Sequence, residues 1–143
     1  MFAVNVQRFT APIAYAEDAN VADKPASIVV DDDPDVLEST RLAFMAEGAE
    51  VTLAADGNEA VARFQERRPD GVVLDMMLPA RSGFLVLEKI RAHEDPPPVI
   101  MVTANQGRRH LAYAKNLGVS DYLVKPVPLQ RLLASMGDLL DLD

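Results

Sequence analysis

The chain has 143 residues, enough for one domain that buries roughly two thirds of its unfolded surface, and its 49% hydrophobic and 25% charged residues are ordinary for a globular protein. A formal charge of -8 at pH 7 argues against nonspecific affinity for nucleic acid or anionic membrane, and no apolar run approaches the ~20 residues needed to cross a bilayer. Cysteine is absent, which excludes disulfides, thiolate catalysis and cysteine-ligated zinc and fits a cytoplasmic location, while the separation of His93 from His110 argues against a histidine metal centre.

Residues 1–25 stand apart from the rest. They lack the basic start and apolar core of a secretory signal. Phe2, Val4 and Val6 alternate as a strand would, without an adjacent partner, and Glu17 to Pro25 is polar. The reading is a flexible amino-terminal tail before a single domain over 26–143. From there, short apolar runs alternate with amphipathic stretches of helical length, the rhythm of βα units on a parallel sheet. Ser27 to Val30 runs into Asp31, Asp32 and Asp33, and Pro34 opens a helix whose buried stripe is Val36, Leu37, Thr40 and Phe44, with Gly48 as its stop. Glu50 to Ala54 predicts a second strand, followed by a helix with Ala60, Val61 and Phe64 on one face that ends before Pro69. Gly71 to Leu74 is a third strand, ending at Asp75, and Pro79 and Gly83 mark the loop beyond it. Phe84, Leu87 and Ile90 form the stripe of a third helix, which Pro96 to Pro98 separates from a strand over Val99 to Val102 that ends at Thr103. A helix over Gly107 to Leu117 with Gly118 as its cap, a strand over Asp121 to Val124, Lys125-Pro126 and a last helix carrying Leu132, Leu133, Met136, Leu139 and Leu140 complete the pattern.

Right-handed crossovers and a central place for the most apolar strands favour the order 2-1-3-4-5. The second strand, with Glu50 and Thr52, fits an edge. Ligands of such sheets bind where the order reverses, at the carboxyl ends of the first and third strands, which is where Asp31, Asp32 and Asp75 fall. Asp33, directly before Pro34, fits a helix cap; one helix terminus does not need three carboxylates. Crowded carboxylates with water and a backbone carbonyl suit Mg²⁺. Asp75 is followed by no capping position, so its carboxylate is expected to be exposed and able to act as a nucleophile towards a phosphoryl group. The Lys125 ammonium and the Thr103 hydroxyl, at the ends of the fifth and fourth strands, would bind phosphoryl oxygens.

Val29-Val30-Asp31-Asp32-Asp33-Pro34, Leu74-Asp75-Met76-Met77-Leu78-Pro79 through Gly83, Val102-Thr103-Ala104 and Tyr122-Leu123-Val124-Lys125-Pro126 together resemble the receiver domain of two-component response regulators, over about residues 26 to 142. The resemblance implies a flavodoxin-like, doubly wound α/β fold with five parallel strands and five helices. It implies that Asp75 accepts a phosphoryl group from a phosphohistidine on a histidine kinase or phosphotransfer protein. Asp32, Asp75 and the Met77 carbonyl would ligate Mg²⁺, and Asp31 would hold a metal-bound water. Lys125 and the Thr103-Ala104 segment would contact the phosphoryl group, and the bond before Pro126 would be cis. Thr103 and Tyr122 would then respond, changing the surface of the fourth helix, fifth strand and fifth helix towards a downstream target or an output domain. Such a chain is a switch and not a turnover enzyme. It is a monomer or a dimer through that surface, where Arg108, Arg109, Asp121 and Arg131 could pair between subunits. Two features depart from the family or leave its chemistry open: Val127 stands where an aromatic is commoner, and Met77 and Asn105 occupy positions that tune the lifetime of the aspartyl phosphate.

Two other readings compete. Asp31-Asp32-Asp33 after an apolar strand also fits a haloacid-dehalogenase-like phosphatase with Asp31 as nucleophile, though a cap and a later acidic motif are missing and Asp75 would be left without a role. A receiver-like binding module that is never phosphorylated would leave Asp75, Thr103 and Lys125 unexplained.

Overall fold

The computed structural model describes residues 24–104 and 107–140. The tail expected over residues 1–25 falls outside them except for its last two residues, as does Asn105. The chain alternates β1 (Ala26–Val30), α1 (Pro34–Ala46), β2 (Glu50–Ala54), α2 (Gly57–Glu66), β3 (Gly71–Asp75), α3 (Gly83–Arg91), β4 (Val99–Thr103), α4 (Arg108–Asn116), β5 (Asp121–Val124) and α5 (Leu129–Leu139). All strand pairs are parallel, in the expected order β2-β1-β3-β4-β5.

Strand composition explains that order. β3 and β4 are buried along their whole length, as strands covered on both faces must be, whereas β2 exposes Thr52 at the edge. The two-residue alternation of side chains then divides the interior into two cores. Ile28, Val30, Val72, Leu74, Val99 and Met101 face α2, α3 and α4 and pack on Ala60, Phe64, Val86, Leu87, Ile90 and Ala114. Val29, Val73, Ile100, Val102 and Leu123 face α1 and α5 and pack on Leu37, Phe44, Leu132, Leu133 and Met136. Gly71 keeps the second core closed, because a β-carbon there would meet the Met136 thioether at 2.5 Å.

Helix ends follow the local chemistry. Asp33 caps α1, its Oδ1 accepting the Asp35 amide at 2.9 Å, and Pro34 occupies the first turn. Gly48 and Gly118 take the left-handed conformation, at φ 88° and 89°, that a β-carbon disfavours. One expected core position is corrected: Val36 is 37% exposed, because it lies in the first turn of α1, above the strand ends, and lines a cavity there.

Phe44 is fully buried in the core between the sheet and the α1–α5 layer. Phe44→Ala should lower the unfolding free energy by about 3–5 kcal/mol. Urea denaturation followed by circular dichroism measures it, and a loss below about 1 kcal/mol would show that this core closes over the gap.

Candidate functional site

The parallel registers bring the strand ends to one edge. Val30 pairs with Leu74, so Asp31 and Asp75 come next on adjacent strands, and Thr103 pairs with Val124 one residue before Lys125. Ladder bonds continue past the strands. The Asp31 amide donates to the Ala54 carbonyl at 3.1 Å, Met76 to Val102 at 3.0 Å and Lys125 to Thr103 at 2.8 Å. Asp31, Asp75 and Thr103 therefore have fixed backbones at the point where their side chains meet.

The two inner aspartates are held in the same way. Asp31 Oδ1 accepts the Asp33 amide at 2.9 Å and Asp75 Oδ1 accepts the Met77 amide at 3.1 Å, each a carboxylate bonding its own chain two residues on. Their remaining oxygens face one ammonium: Lys125 Nζ lies 3.1 Å from Asp31 Oδ2 and 3.0 Å from Asp75 Oδ2. Asp32 is exposed beside them, and one carboxylate oxygen from each of Asp31, Asp32 and Asp75 lies within 4.8 Å of the others.

Asp75 is not exposed, as the sequence reading expects, but 4% accessible. The α3 terminus packs directly on its backbone, where a β-carbon on Gly83 would collide with the Asp75 carbonyl, and Lys125 covers its carboxylate. Burial pushes the Asp75 pKa up. The bonds from Lys125 and the Met77 amide pull it down and the Asp31 charge pushes it up again, with a net rise. Lys125 is raised in turn: burial works against its charge, and its bonds and attraction to Asp75 and Asp31 outweigh burial.

Three clustered carboxylates, two of them paired with one ammonium, carry two more negative charges than positive when ionised, the charge of one divalent cation. The donors are hard oxygens, the set that suits Mg²⁺, so the residues present fit that ion.

The remaining expected residues are close by. Thr103 is fully buried at the end of β4, and its side chain hydrogen-bonds the half-buried Tyr122 hydroxyl. Ala104 follows Thr103 and is exposed, and the Lys125–Pro126 peptide bond is cis. Met77 has a side chain 65% exposed while its amide points in to Asp75. A cavity of about 590 Å³ opens beside the cluster, lined by Asp31, Asp75 and Lys125 and walled by Val36, Val127, Leu129 and Leu132. Asp121 and Arg131, possible intersubunit partners from sequence, pair within the chain at 3.6 Å, and Asp121 also accepts the Ser135 hydroxyl at 2.5 Å.

Sequence reasoning missed the contact between the start of α2 and the loop after Asp75. Its signal is the Asp56-x-x-Glu59 spacing, in which Asp56 Oδ1 accepts the Glu59 amide at 2.8 Å and Glu59 Oε1 accepts the Ala55 amide at 2.7 Å.

Comparison with known proteins agrees with the geometry. The chain matches the response regulator receiver domain over residues 28–136. It is 41% identical over 113 residues to response regulator MprA of Mycolicibacterium vanbaalenii, covering 79% of this chain and 49% of that protein. It is 37% identical over 113 residues to the probable transcriptional regulatory protein TcrX of Mycobacterium tuberculosis, covering 79% and 48%. The chain thus spans about half the length of the curated relatives it matches. Among solved structures, it resembles a CheY-like receiver domain protein from Methanospirillum hungatei with a TM-score of 0.80 at 30% identity, covering 83% of this chain and 95% of the other. The Vibrio cholerae chemotaxis protein CheY4 gives 0.76 at 27%, covering 81% and 98%.

The raised Asp75 pKa fixes a sign. The folded protein takes up a proton at higher pH than the unfolded chain, so stability increases as pH falls from the elevated value towards the ordinary aspartate value. In metal-free urea denaturation at graded pH, wild-type stability should climb over that window relative to Asp75→Asn. Parallel curves would contradict the assignment.

Proposed function

The chain belongs to the response regulator receiver-domain family, and on that premise we propose that it is an Mg²⁺-dependent phosphoryl acceptor using Asp75 as its nucleophile. The observation that carries this reading is the shared ammonium: Lys125 holds Asp75 by one oxygen and Asp31 by another, beside a carboxylate cluster short of positive charge. An Asp75 oxygen attacks the phosphorus of a phosphohistidine. The new O–P bond forms as the N–P bond breaks, and the imidazole leaves with the electron pair and takes up a proton. Lys125 stays paired with the reacting group, its ammonium moving from a carboxylate oxygen to a phosphoryl oxygen. Asp31, Asp32, Asp75 and the Met77 carbonyl would hold Mg²⁺, which supplies charge neutralisation on the phosphoryl oxygens. Asp31 is engaged as Asp75 is, by a main-chain amide and by Lys125, so it is the receiver-domain match over residues 28–136 that argues against the phosphatase alternative and leaves Asp31 as the holder of a metal-bound water.

The response begins at Thr103. Its hydroxyl is bonded to Tyr122, and a phosphoryl group on Asp75 offers it a charged acceptor, a stronger partner than a neutral phenol. With the amide of Ala104 contributing at the same edge, transfer of that bond releases Tyr122 to repack between β5 and α4. The surface of α4, β5 and α5 is then the output, read by a protein target, an output domain or a second copy. The domain responsible is 26–143, the donor is a histidine kinase or histidine phosphotransfer protein, and the chain does not turn over substrate as an enzyme. The cavity beside the cluster has apolar walls on α1 and α5, which suits a protein donor presenting its phosphohistidine on a packed surface. No helix among the described residues is long and apolar enough to cross a membrane, in keeping with action in the cytoplasm.

Incubation with Mg²⁺ and acetyl phosphate, followed by intact mass measurement, should give one transient phosphoryl adduct that Asp75→Asn abolishes. Lys125→Ala should slow its formation by roughly a hundredfold, the scale of losing one oxyanion donor. Thr103→Ala should still form it. An adduct on Asp75→Asn would remove Asp75 from the role, and no adduct on the wild type would leave a non-phosphorylated binding module as the better reading.

A further inference from the structure

The loop after Asp75 is held from two sides. Its ends are fixed to the sheet and α3: Met76 donates to the Val102 carbonyl at 3.0 Å, Met77 to Asp75 Oδ1 at 3.1 Å and Gly83 to the Met76 carbonyl at 2.9 Å. Its tip is held by a different element. The Pro79 carbonyl accepts the Arg81 amide at 2.7 Å and the Gly57 amide, first in α2, at 3.4 Å, and Arg81 Nε donates to Asn58 Oδ1 at 3.1 Å.

The approach is backbone on backbone. A β-carbon on Gly57 would fall on the Arg81 carbonyl oxygen and within 2.6 Å of its β-carbon. Between Pro79 and Arg81, Ala80 has φ 67°, the left-handed region, inside a turn closed by a bond two residues back. A residue without glycine's freedom stays there only when its surroundings over-determine it. The start of α2 is suited to that task, since the Asp56 carboxylate accepts the Glu59 amide and the Glu59 carboxylate accepts the Ala55 amide, fixing its first turn.

We propose that Gly57, Asn58 and Arg81 form a clamp through which the amino terminus of α2 positions the Met77 carbonyl and so sets the affinity of the site for Mg²⁺. The inference rests on the reading of Asp31, Asp32, Asp75 and Met77 as the Mg²⁺ site. None of the three clamp residues is a ligand; they are positioning residues. Met77 lies two residues before Pro79, so the direction of its carbonyl follows the peptide planes that the clamp holds. Mg²⁺ accepts little departure from octahedral geometry, and a loop that must be ordered on binding weakens its hold.

Titration of the full chain with Mg²⁺ alone, by calorimetry, tests the clamp through Asn58→Ala and Arg81→Ala, which alter side chains outside the core. Each should weaken binding about three- to tenfold, the lower end of what outer-shell partners of metal sites contribute. The double variant should be no weaker than either single one, because both cut the same bond. Asn58→Asp, which keeps the acceptor, should restore binding when Arg81 is present and fail to do so in Arg81→Ala. In metal-free protein, amide exchange over residues 77–82 should quicken in both alanine variants. Wild-type affinity in both would overturn the clamp. Asp32→Asn separates the two readings: if it leaves Mg²⁺ binding intact, the assigned metal site is wrong, and unchanged exchange in the alanine variants then overturns the clamp on its own.

Discussion

One ammonium group lies between two buried carboxylates, and the rest of the site depends on it. Lys125 comes from the end of an edge strand, yet its Nζ reaches past β4 to Asp75 on β3 and Asp31 on β1, partners 50 and 94 residues away in sequence. That contact requires the winding order, the registers and the common direction of the strands to be as they are. It is also insufficient on its own. A lone cation shared by two acids leaves Asp75 with a raised pKa and the cluster with negative charge to spare. The folded state carries this imbalance at the carboxyl edge of the sheet, where unbalanced charge and perturbed pKa values mark a candidate functional site.

Much of this was legible in the sequence because the relevant signals are local and repeated. Each strand is a short apolar run ended by a polar residue, and Asp31, Asp75, Thr103 and Lys125 are read from those ends alone. Glu50 and Thr52 mark the edge strand, and Pro34 with Asp33 marks a helix start. The misses have a common cause. An exposed Asp75 is the natural reading of a chain with no helix cap in the next few residues, whereas its burial comes from Gly83 and Lys125 packing over it in space. Val36 satisfies helical periodicity but sits above the layer that periodicity assumes is there. Also left out of the sequence reading is the pairing of Asp121 with Arg131, ten residues apart, across the β5–α5 turn. The hold of α2 on the Asp75 loop joins segments more than twenty residues apart and leaves only an Asp-x-x-Glu spacing as its trace.

Stability and chemistry pull against each other at Asp75. Burial disfavours the charge of its carboxylate, and the bonds from Lys125 and the Met77 amide offset that only in part. The two large cores supply what this edge withholds. β3 and β4, buried from end to end, anchor Asp75 and Thr103 on rigid backbone, so that the uncompensated charge cannot relax by moving the strand.

The division of the interior into two cores has a further consequence. The sheet is a partition one strand thick with a separate core on each face. Tyr122, next to Thr103, packs into the core shared by α2, α3 and α4, while Val127, just past Lys125, packs into the core shared by α1 and α5. The Thr103–Tyr122 hydroxyl pair and the Lys125–Val127 segment thus join the same strand-end cluster to opposite faces of the sheet, so the rim is where both cores border one set of charges.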